Sequence, residues 1–404
     1  MHTFKKISLI LTTFAILLCS TNIPISAQNQ QPDNTQDISE TLHCKNAIVI
    51  DRNTKQVLYE KNSRRKIAPA SMTKIMTAIV VIENTKNFDK PITIYNKDLN
   101  VKNINASITG LVPGEILTVE DALYCMLVTS GSEVAQALGR YTTGNLNDFI
   151  DLMNNKAKAL HLKNTNFTNA FGADEINHYS TVEDMAKIMD YALTFPMFQK
   201  ISRCEKYSFK TNKYSRILES SPFNYLNNLH LNTKHVTGLK TGSIQDIGAN
   251  IAYGSNKDGF EIVTVIANAP FDREHYYNIE DAYNLSEWIY KNYKTKNIYT
   301  PSDTIQIKGS LLSPSIRQKV GTSVYLPYKN DDNIQFSKKI TPVKHKLLIK
   351  PNDPIGIIEI NNKSQTYTYK ILSEKWHFSI LVYIAILAYL FILIKLIRKK
   401  HTSK

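Results

Sequence analysis

The stretch PASMTKIMTA, residues 69–78, sets Ser71 three positions ahead of Lys74. Residues at that spacing share one face of a helix and touch. From Ile67 to Ile82 Lys74 is the single charged residue. Met72, Ile75, Met76, Ile79 and Val80 recur at helical spacing and mark a packing stripe. Pro69, just ahead, starts the helix at the serine, where unpaired backbone N–H groups and the positive end of the dipole favour negative charge. An ammonium in such a setting is desolvated, which disfavours its charged form and lowers its pKa. A neutral amine beside a hydroxyl is a general base, and the hydroxyl becomes a nucleophile. Ser-x-x-Lys is also a frequent chance spacing, with a lysine snorkelling to solvent, so the pair needs company.

Two further pieces supply it. LVTSGSEVAQAL puts Ser130-Gly131-Ser132 between two helix patterns, where a hydroxyl can relay a proton to a leaving group. VTGLKTGSIQDIGAN puts Lys240-Thr241-Gly242 at the end of an apolar strand. A cation with an adjacent hydroxyl suits a carboxylate, and glycine lets a substrate backbone come close. Each also reads, alone, as an ordinary loop serine or a solvated lysine in a turn. No metal spacing is present: the histidines are scattered without H-E-x-x-H, and no C-x-x-C occurs. No metal or cofactor is therefore expected. Cys44, Cys125 and Cys204 are an odd set once Cys19 leaves with the leader, so at least one is unpaired within the chain.

The elements that must carry these residues follow from periodicity. AIVIDRNTKQVLYEKN (47–62) has two apolar runs about a turn, a hairpin signal. Helix patterns cover 71–84, 119–140, 147–160 and 182–194, with Thr118/Asp121 and Thr181/Asp184 as N-cap boxes. Strands are expected at 236–241, 248–254 and 260–268, the last two joined by a turn at Asn256–Gly259, and a helix at 279–293. After about residue 298 only short strand-like runs follow.

Taken together and in this order, Ser71-Met72-Thr73-Lys74, Ser130-Gly131-Ser132 and Lys240-Thr241-Gly242 resemble the S-x-x-K, S-x-N and K-T-G motifs of penicillin-binding proteins and serine β-lactamases. HYSTVEDMAKI (178–188) and TGLKTG look like the low-molecular-weight D-alanyl-D-alanine carboxypeptidases, over about residues 40–397. The resemblance implies an α/β fold: a transpeptidase-like catalytic domain with a helical subdomain and an antiparallel sheet flanked by helices. A small all-β domain and a C-terminal transmembrane helix would follow. It also implies roles. Ser71 attacks the carbonyl between two terminal D-alanines of a peptidoglycan stem, Lys74 takes its proton, and Ser130 passes a proton to the departing D-alanine. Lys240 and Thr241, beside Gly242, hold the terminal carboxylate. The amides of Ser71 and Ser243 form the oxyanion hole. β-Lactam antibiotics would acylate Ser71. One residue departs from the pattern: Ser132 stands where the family has Asn, and its shorter side chain puts the bridge from lysine to substrate amide in doubt. Arg273 stands near an arginine that often assists in the family and is left out of the site. A non-catalytic penicillin- or peptidoglycan-binding module and a β-lactamase are the alternatives. Against the latter, no E-x-x-x-N follows Ser130 at the expected distance.

The two ends carry membrane signals. Lys5 and Lys6, an apolar run from Ile7 to Cys19 and Ile25-Ser26-Ala27 read as a signal peptide, 1–27. Residues 28–42 are polar, an expected disordered spacer. The expected catalytic domain is 43–296 and the all-β domain 297–374. Phe378 to Ile394 lacks charge, so 377–397 is expected to span a membrane, with 398–404 as a basic cytoplasmic tail. The body then lies outside the cell on one anchor. Of the net charge of +14, two units fall on the leader and five on the tail (Lys395, Arg398, Lys399, Lys400, Lys404), leaving a body of +7. That suits an anionic wall or membrane surface. No basic stripe with interleaved aromatics points to nucleic acid.

Overall fold

In a computed structural model of the chain, the described residues are 36–101, 106–272, 274–309, 314–321, 323–330, 335–343, 348–362 and 365–402. The expected leader, most of the expected spacer and Arg273 lie outside them. Residues Gln36–Thr41, expected as spacer, form a short helix instead; Ile38 and Leu42 are both buried, which a solvated segment does not achieve.

Five antiparallel strands make the central sheet: β1 (Asn46–Asp51), β2 (Val57–Lys61), β3 (Val236–Ile244), β4 (Gly248–Lys257) and β5 (Phe260–Ala269), in the order β2-β1-β5-β4-β3. The chain ends of the catalytic region thus meet in the middle of one sheet, with β1 paired to β5 from Asn46↔Ala267 to Asp51↔Ile262. The β4–β5 turn falls where expected, with Asp258 and Gly259 at φ 54° and 89°.

The sheet is covered on both faces. Ile48, Val263 and Val265 on one face join the core of the helical subdomain. On the other, Thr264 Oγ1 meets Ser286 Oγ at 2.8 Å, on the helix Tyr277–Asn292. Helix α1 (Thr73–Asn84) is the axis of the helical subdomain, buried from Thr73 to Val81. A 3₁₀ turn, Ala70–Met72, leads into it. Around it stand α2 (Val119–Val128), α3 (Ser132–Thr143), α4 (Leu146–Ala159) and α5 (Val182–Ala192). The Thr118/Asp121 box forms in full; Thr181 caps α5 by accepting from the Asp184 amide. The continuous 119–140 pattern is broken because Ser130 adopts φ 61°, a left-handed conformation no helix interior accepts.

A hairpin, Lys206–Lys210 with Ser215–Glu219, escapes the sequence reading because its alternation puts one buried residue per strand. It is fastened by Arg216, whose Nε and Nη2 donate to Glu115 at 2.5 and 2.7 Å and whose Nη2 also donates to the Gly110 carbonyl at 3.0 Å. The loop 107–115 beside Ser130 is thereby tied down.

Among the described residues from Tyr293 to Phe378 the regular elements are strands, with a hydrophobic cluster of their own that includes Ile305, Leu326, Ile358 and Ile360. Tyrosines join this module to the β1–β2 hairpin: Tyr325 Oη donates to the buried Asp51 at 2.9 Å and Tyr293 Oη to the Leu58 carbonyl at 3.0 Å. The last helix runs Ile380–Thr402. Among the described residues no helix is long and apolar enough to cross a membrane.

The carboxylate of Glu115 is fully buried, so removing its guanidinium partner leaves an uncompensated charge. Arg216→Ala should cost about 3–5 kcal/mol in urea unfolding, whereas Lys206→Ala, at an exposed pair, should cost under about 1 kcal/mol.

Candidate active site

The 3₁₀ turn before α1 presents Ser71, and the first turn of α1 presents Lys74 from the same face. Lys74 Nζ lies 2.7 Å from Ser71 Oγ, 3.2 Å from Ser132 Oγ and 2.9 Å from the Phe171 carbonyl. All three partners are neutral. The amine is fully buried. Burial pushes it well below the ordinary lysine value, the nearby charge of Lys240 pushes it further, and Glu133 pulls the other way. Glu133 is turned elsewhere: its Oε1 accepts from the Thr109 and Gly110 amides at 2.6 and 3.1 Å.

A neutral amine has two N–H bonds and one lone pair. The Phe171 carbonyl only accepts, so it takes one N–H, while the hydroxyls of Ser71 and Ser132 can each accept or donate. The Ser71 hydroxyl stands at the shortest of the three distances. Ser132, despite its length, does reach the lysine.

Lys240 comes from β3 and forms the second limb. Its Nζ lies 3.0 Å from Ser130 Oγ and 2.9 Å from the Thr241 carbonyl. Burial brings it down to about 7. Ser130 is held in its strained conformation by the turn around it, where the Cys125 carbonyl accepts from the Gly131 amide at 3.1 Å. The role of Cys125 here is a backbone one; its thiol is buried and free.

Close approach of three backbones completes the site. A Cβ on Gly242 would stand 2.6 Å from the Ser71 amide, and one on Gly172, at φ +94°, 1.8 Å from the Ala70 carbonyl oxygen. Ala70 itself has φ 49°, a strained turn immediately before Ser71. Asn250 secures it from the sheet by donating to the Ala68 carbonyl at 2.9 Å.

Several contributors escaped the sequence reading. Asn169 Oδ1 accepts from the amides of Gly172 and Ala173 at 2.7 and 3.0 Å, which turns the Phe171 carbonyl toward Lys74. His178 Nδ1 accepts from the Thr168 amide at 3.1 Å, so its proton sits on Nε2, 2.9 Å from Thr73 Oγ1. Burial pushes this imidazole down to about 4, so it stays neutral while bracing the residue between Ser71 and Lys74. HYSTVEDMAKI contained this histidine, but nothing local distinguished it. Among the described residues no group of three His, Cys, Asp or Glu is arranged for a metal.

Comparison with known proteins gives consistent results. The family model described as D-alanyl-D-alanine carboxypeptidase matches residues 29–271. The chain is 27% identical over 356 residues to D-alanyl-D-alanine carboxypeptidase DacF of Bacillus subtilis, covering 86% of this chain and 84% of that one. It is 28% identical over 335 residues to DacC of Escherichia coli, covering 78% and 80%. In structure it resembles penicillin-binding protein 5 of Haemophilus influenzae, with TM-score 0.65 at 21% identity, covering 83% of this chain and 98% of that one. That likeness concerns the fold.

A lysine whose folded-state pKa is lowered destabilises the fold whenever it is charged. The penalty is complete below about pH 7, where Lys240 is protonated in both states, and is relieved as pH rises from there toward the ordinary value of 10.5. Lys240→Met should therefore raise the melting temperature most below pH 7, and its advantage over the native chain should shrink steadily by pH 10, as followed by differential scanning calorimetry.

Proposed function

The chain belongs to the D-alanyl-D-alanine carboxypeptidase family, and from that membership we propose the assignment of its steps to residues. The enzyme is a serine-type peptidase that removes the terminal D-alanine of peptidoglycan stems through an acyl-enzyme. The proposed nucleophile is Ser71, and the observation that carries it is the fully buried Lys74 amine at 2.7 Å from its hydroxyl. The Ser71 proton passes to Lys74 as Oγ adds to the carbonyl of the penultimate D-alanine. The amides of Ser71 and Ser243 receive the developing oxyanion, each such donor being worth roughly 3 kcal/mol. Ser130, held by Lys240, delivers a proton to the leaving nitrogen as the C–N bond breaks and takes in its place the proton that Lys74 received from Ser71, so Lys74 is neutral again; Lys240 with Thr241 holds the carboxylate of the departing D-alanine. Gly242 leaves the Ser71 amide uncovered. Water then attacks the ester, giving a proton to Lys74, and as the acyl–Oγ bond breaks Lys74 returns that proton to Ser71 Oγ. Ser132 keeps the lone pair of Lys74 aimed at Ser71. β-Lactams acylate the same serine and stay.

The proposed setting is extracytoplasmic, with a cleaved leader 1–27, a catalytic domain 43–296, a small all-β domain 297–374 and a membrane anchor 377–397 followed by a basic tail. The separate buried cluster of the β module supports the partition. The anchor is supported by the uncharged sequence run and by the exposed Ile384, Leu387, Tyr389 and Phe391 along the last helix, an apolar surface that protein leaves uncovered.

Incubated with a pentapeptide muropeptide, the native enzyme should yield the tetrapeptide and free D-alanine by mass spectrometry. Ser71→Ala should yield neither and should lose labelling by fluorescent penicillin. An adduct on another residue, or undiminished labelling of the variant, overturns the nucleophile. For the anchor, a chain ending at Glu374 should leave the membrane fraction, while the full chain should resist a high-salt wash; retention of the shortened chain after washing defeats the assignment.

A further inference from the structure

One buried carboxylate beside the base has no part in the steps above. Glu133 lies in the first turn of α3 and follows Ser132, whose hydroxyl touches Lys74. It is 2% exposed. Its Oε1 accepts from the Thr109 and Gly110 amides at 2.6 and 3.1 Å, and its Oε2 has no hydrogen-bond partner among the described residues. Lys74 therefore bonds to neither oxygen. A buried carboxylate with an idle oxygen is costly and calls for a reason.

The carboxylate is held in place by a loop that is itself tied down. The Ser132 amide donates to the Ser107 carbonyl at 2.9 Å, so the loop runs beside the start of α3. Thr109 Oγ1 fills the side-chain space of Gly131, where a Cβ would stand 2.3 Å away, and lies 3.2 Å from Thr129 Oγ1. Gly110 gives its amide to Glu133 and its carbonyl to Arg216, the partner of buried Glu115. The loop thus keeps the carboxylate near the base but out of contact with it.

That arrangement has a chemical consequence. A carboxylate bonded to Lys74 would keep it an ammonium at rest. One held short of contact in the same dry interior still attracts the ammonium that forms when Ser71 gives up its proton. Burial first, and then Lys240, push Lys74 down, while Glu133 acts to raise it. We propose that Glu133, pinned by the Thr109 and Gly110 amides, is a positioning residue for acylation: its carboxylate stabilises the ammonium that Lys74 becomes as Ser71 Oγ bonds to the carbonyl carbon. Glu133 takes no proton in that step. The inference rests on the assignment of Ser71 and Lys74 above. Lys240 faces Lys74 from β3. The Cys125 thiol faces Glu133 from α2, with Asp121, Glu115 and Arg216 around it; burial pushes that thiol well above its ordinary value, so it stays uncharged.

The test follows acylation of the full chain in detergent by fluorescent penicillin as a function of pH. Glu133→Gln keeps the volume and an oxygen for the two amides and removes the charge. Without the carboxylate Lys74 binds its proton less well, so the acid limb of the acylation rate should move to lower pH by about one unit. The plateau above it should fall by about tenfold as the base weakens. Glu133→Met, also neutral, should move the limb the same way. The limb is read from relative rates over the pH range in which each variant melts cooperatively, so a smaller folded fraction does not obscure it. Glu133→Asp retains the charge and should keep the limb within about 0.3 unit of native. A limb that stays in place in both neutral variants while the plateau falls shows that Glu133 only braces the loop, and a limb that moves upward has the wrong sign. A shifted limb with an undiminished plateau shows a charge felt at rest and not in the reaction. Each of these overturns the proposal. Release of D-alanine from a pentapeptide by the native chain is measured alongside; its absence would fail the carboxypeptidase reading and leave the acylation comparison standing.

Discussion

An amine buried without a counter-ion is the constraint on which this site depends. Taking an ammonium out of water costs more than most side-chain interactions return, and the group responds by giving up its proton. Lys74 is surrounded so that nothing reverses this. Its three partners are two hydroxyls and a carbonyl, the adjacent carboxylate of Glu133 is engaged by two backbone amides, and the nearest cation is Lys240. An acid in place of Ser132 would pull the pKa of Lys74 back up. The helical subdomain exists, in physical terms, to hold this side chain dry: α1 is buried along nine consecutive residues.

Strain is the second cost, and it is concentrated beside the reacting groups. Ala70 and Ser130 both occupy left-handed backbone without being glycine. Such residues persist where the surroundings over-determine them. Around Ala70 those surroundings are Gly172, Gly242 and the Asn250 side chain, that is, a loop and two strands of the sheet closing on one turn. Around Ser130 they are the carbonyl of Cys125 and the ammonium of Lys240. The glycines cannot gain a side chain without either displacing the Ser71 turn or covering its amide.

The elements that carry the motifs were legible from local signals. A lone lysine in an apolar helix, a Ser-Gly-Ser between helices and Lys-Thr-Gly on a strand are one-dimensional patterns, and the structure brings all three within hydrogen-bonding distance. What stayed hidden depends on contacts distant in sequence. The Phe171 carbonyl reaches Lys74 across 97 residues, and its aim is set by Asn169, which in sequence is one asparagine among many. Glu115 and Arg216 look like two surface charges until the fold places them at 2.5 Å. The 3.2 Å contact between Ser132 and Lys74 was not legible for a related reason. Side-chain length suggests a gap, but the distance is set by where α3 starts relative to α1, and only tertiary packing decides that. The helix at 36–41 was missed because polar composition outweighed Ile38 and Leu42.

The two lysines show how one physical effect serves two tasks. Both are desolvated, and both are pushed down by it, yet their neighbours differ in what they ask of the amine. Lys74 has the Ser71 hydroxyl to receive a lone pair and no cleft in front of it. Lys240 lines the cleft, and burial leaves it near 7, half charged at neutral pH. An incoming carboxylate favours the charged form of Lys240 by direct attraction. A carboxylate seated at Lys240 as proposed therefore draws a proton onto it, and a ligand without that group does not. The same carboxylate offsets, at the position of Lys74, the positive charge that Lys240 gains, so the base stays close to the state it holds in the empty site. Recognition and base chemistry are thus separated by which amine faces the cleft, although both rest on the same burial.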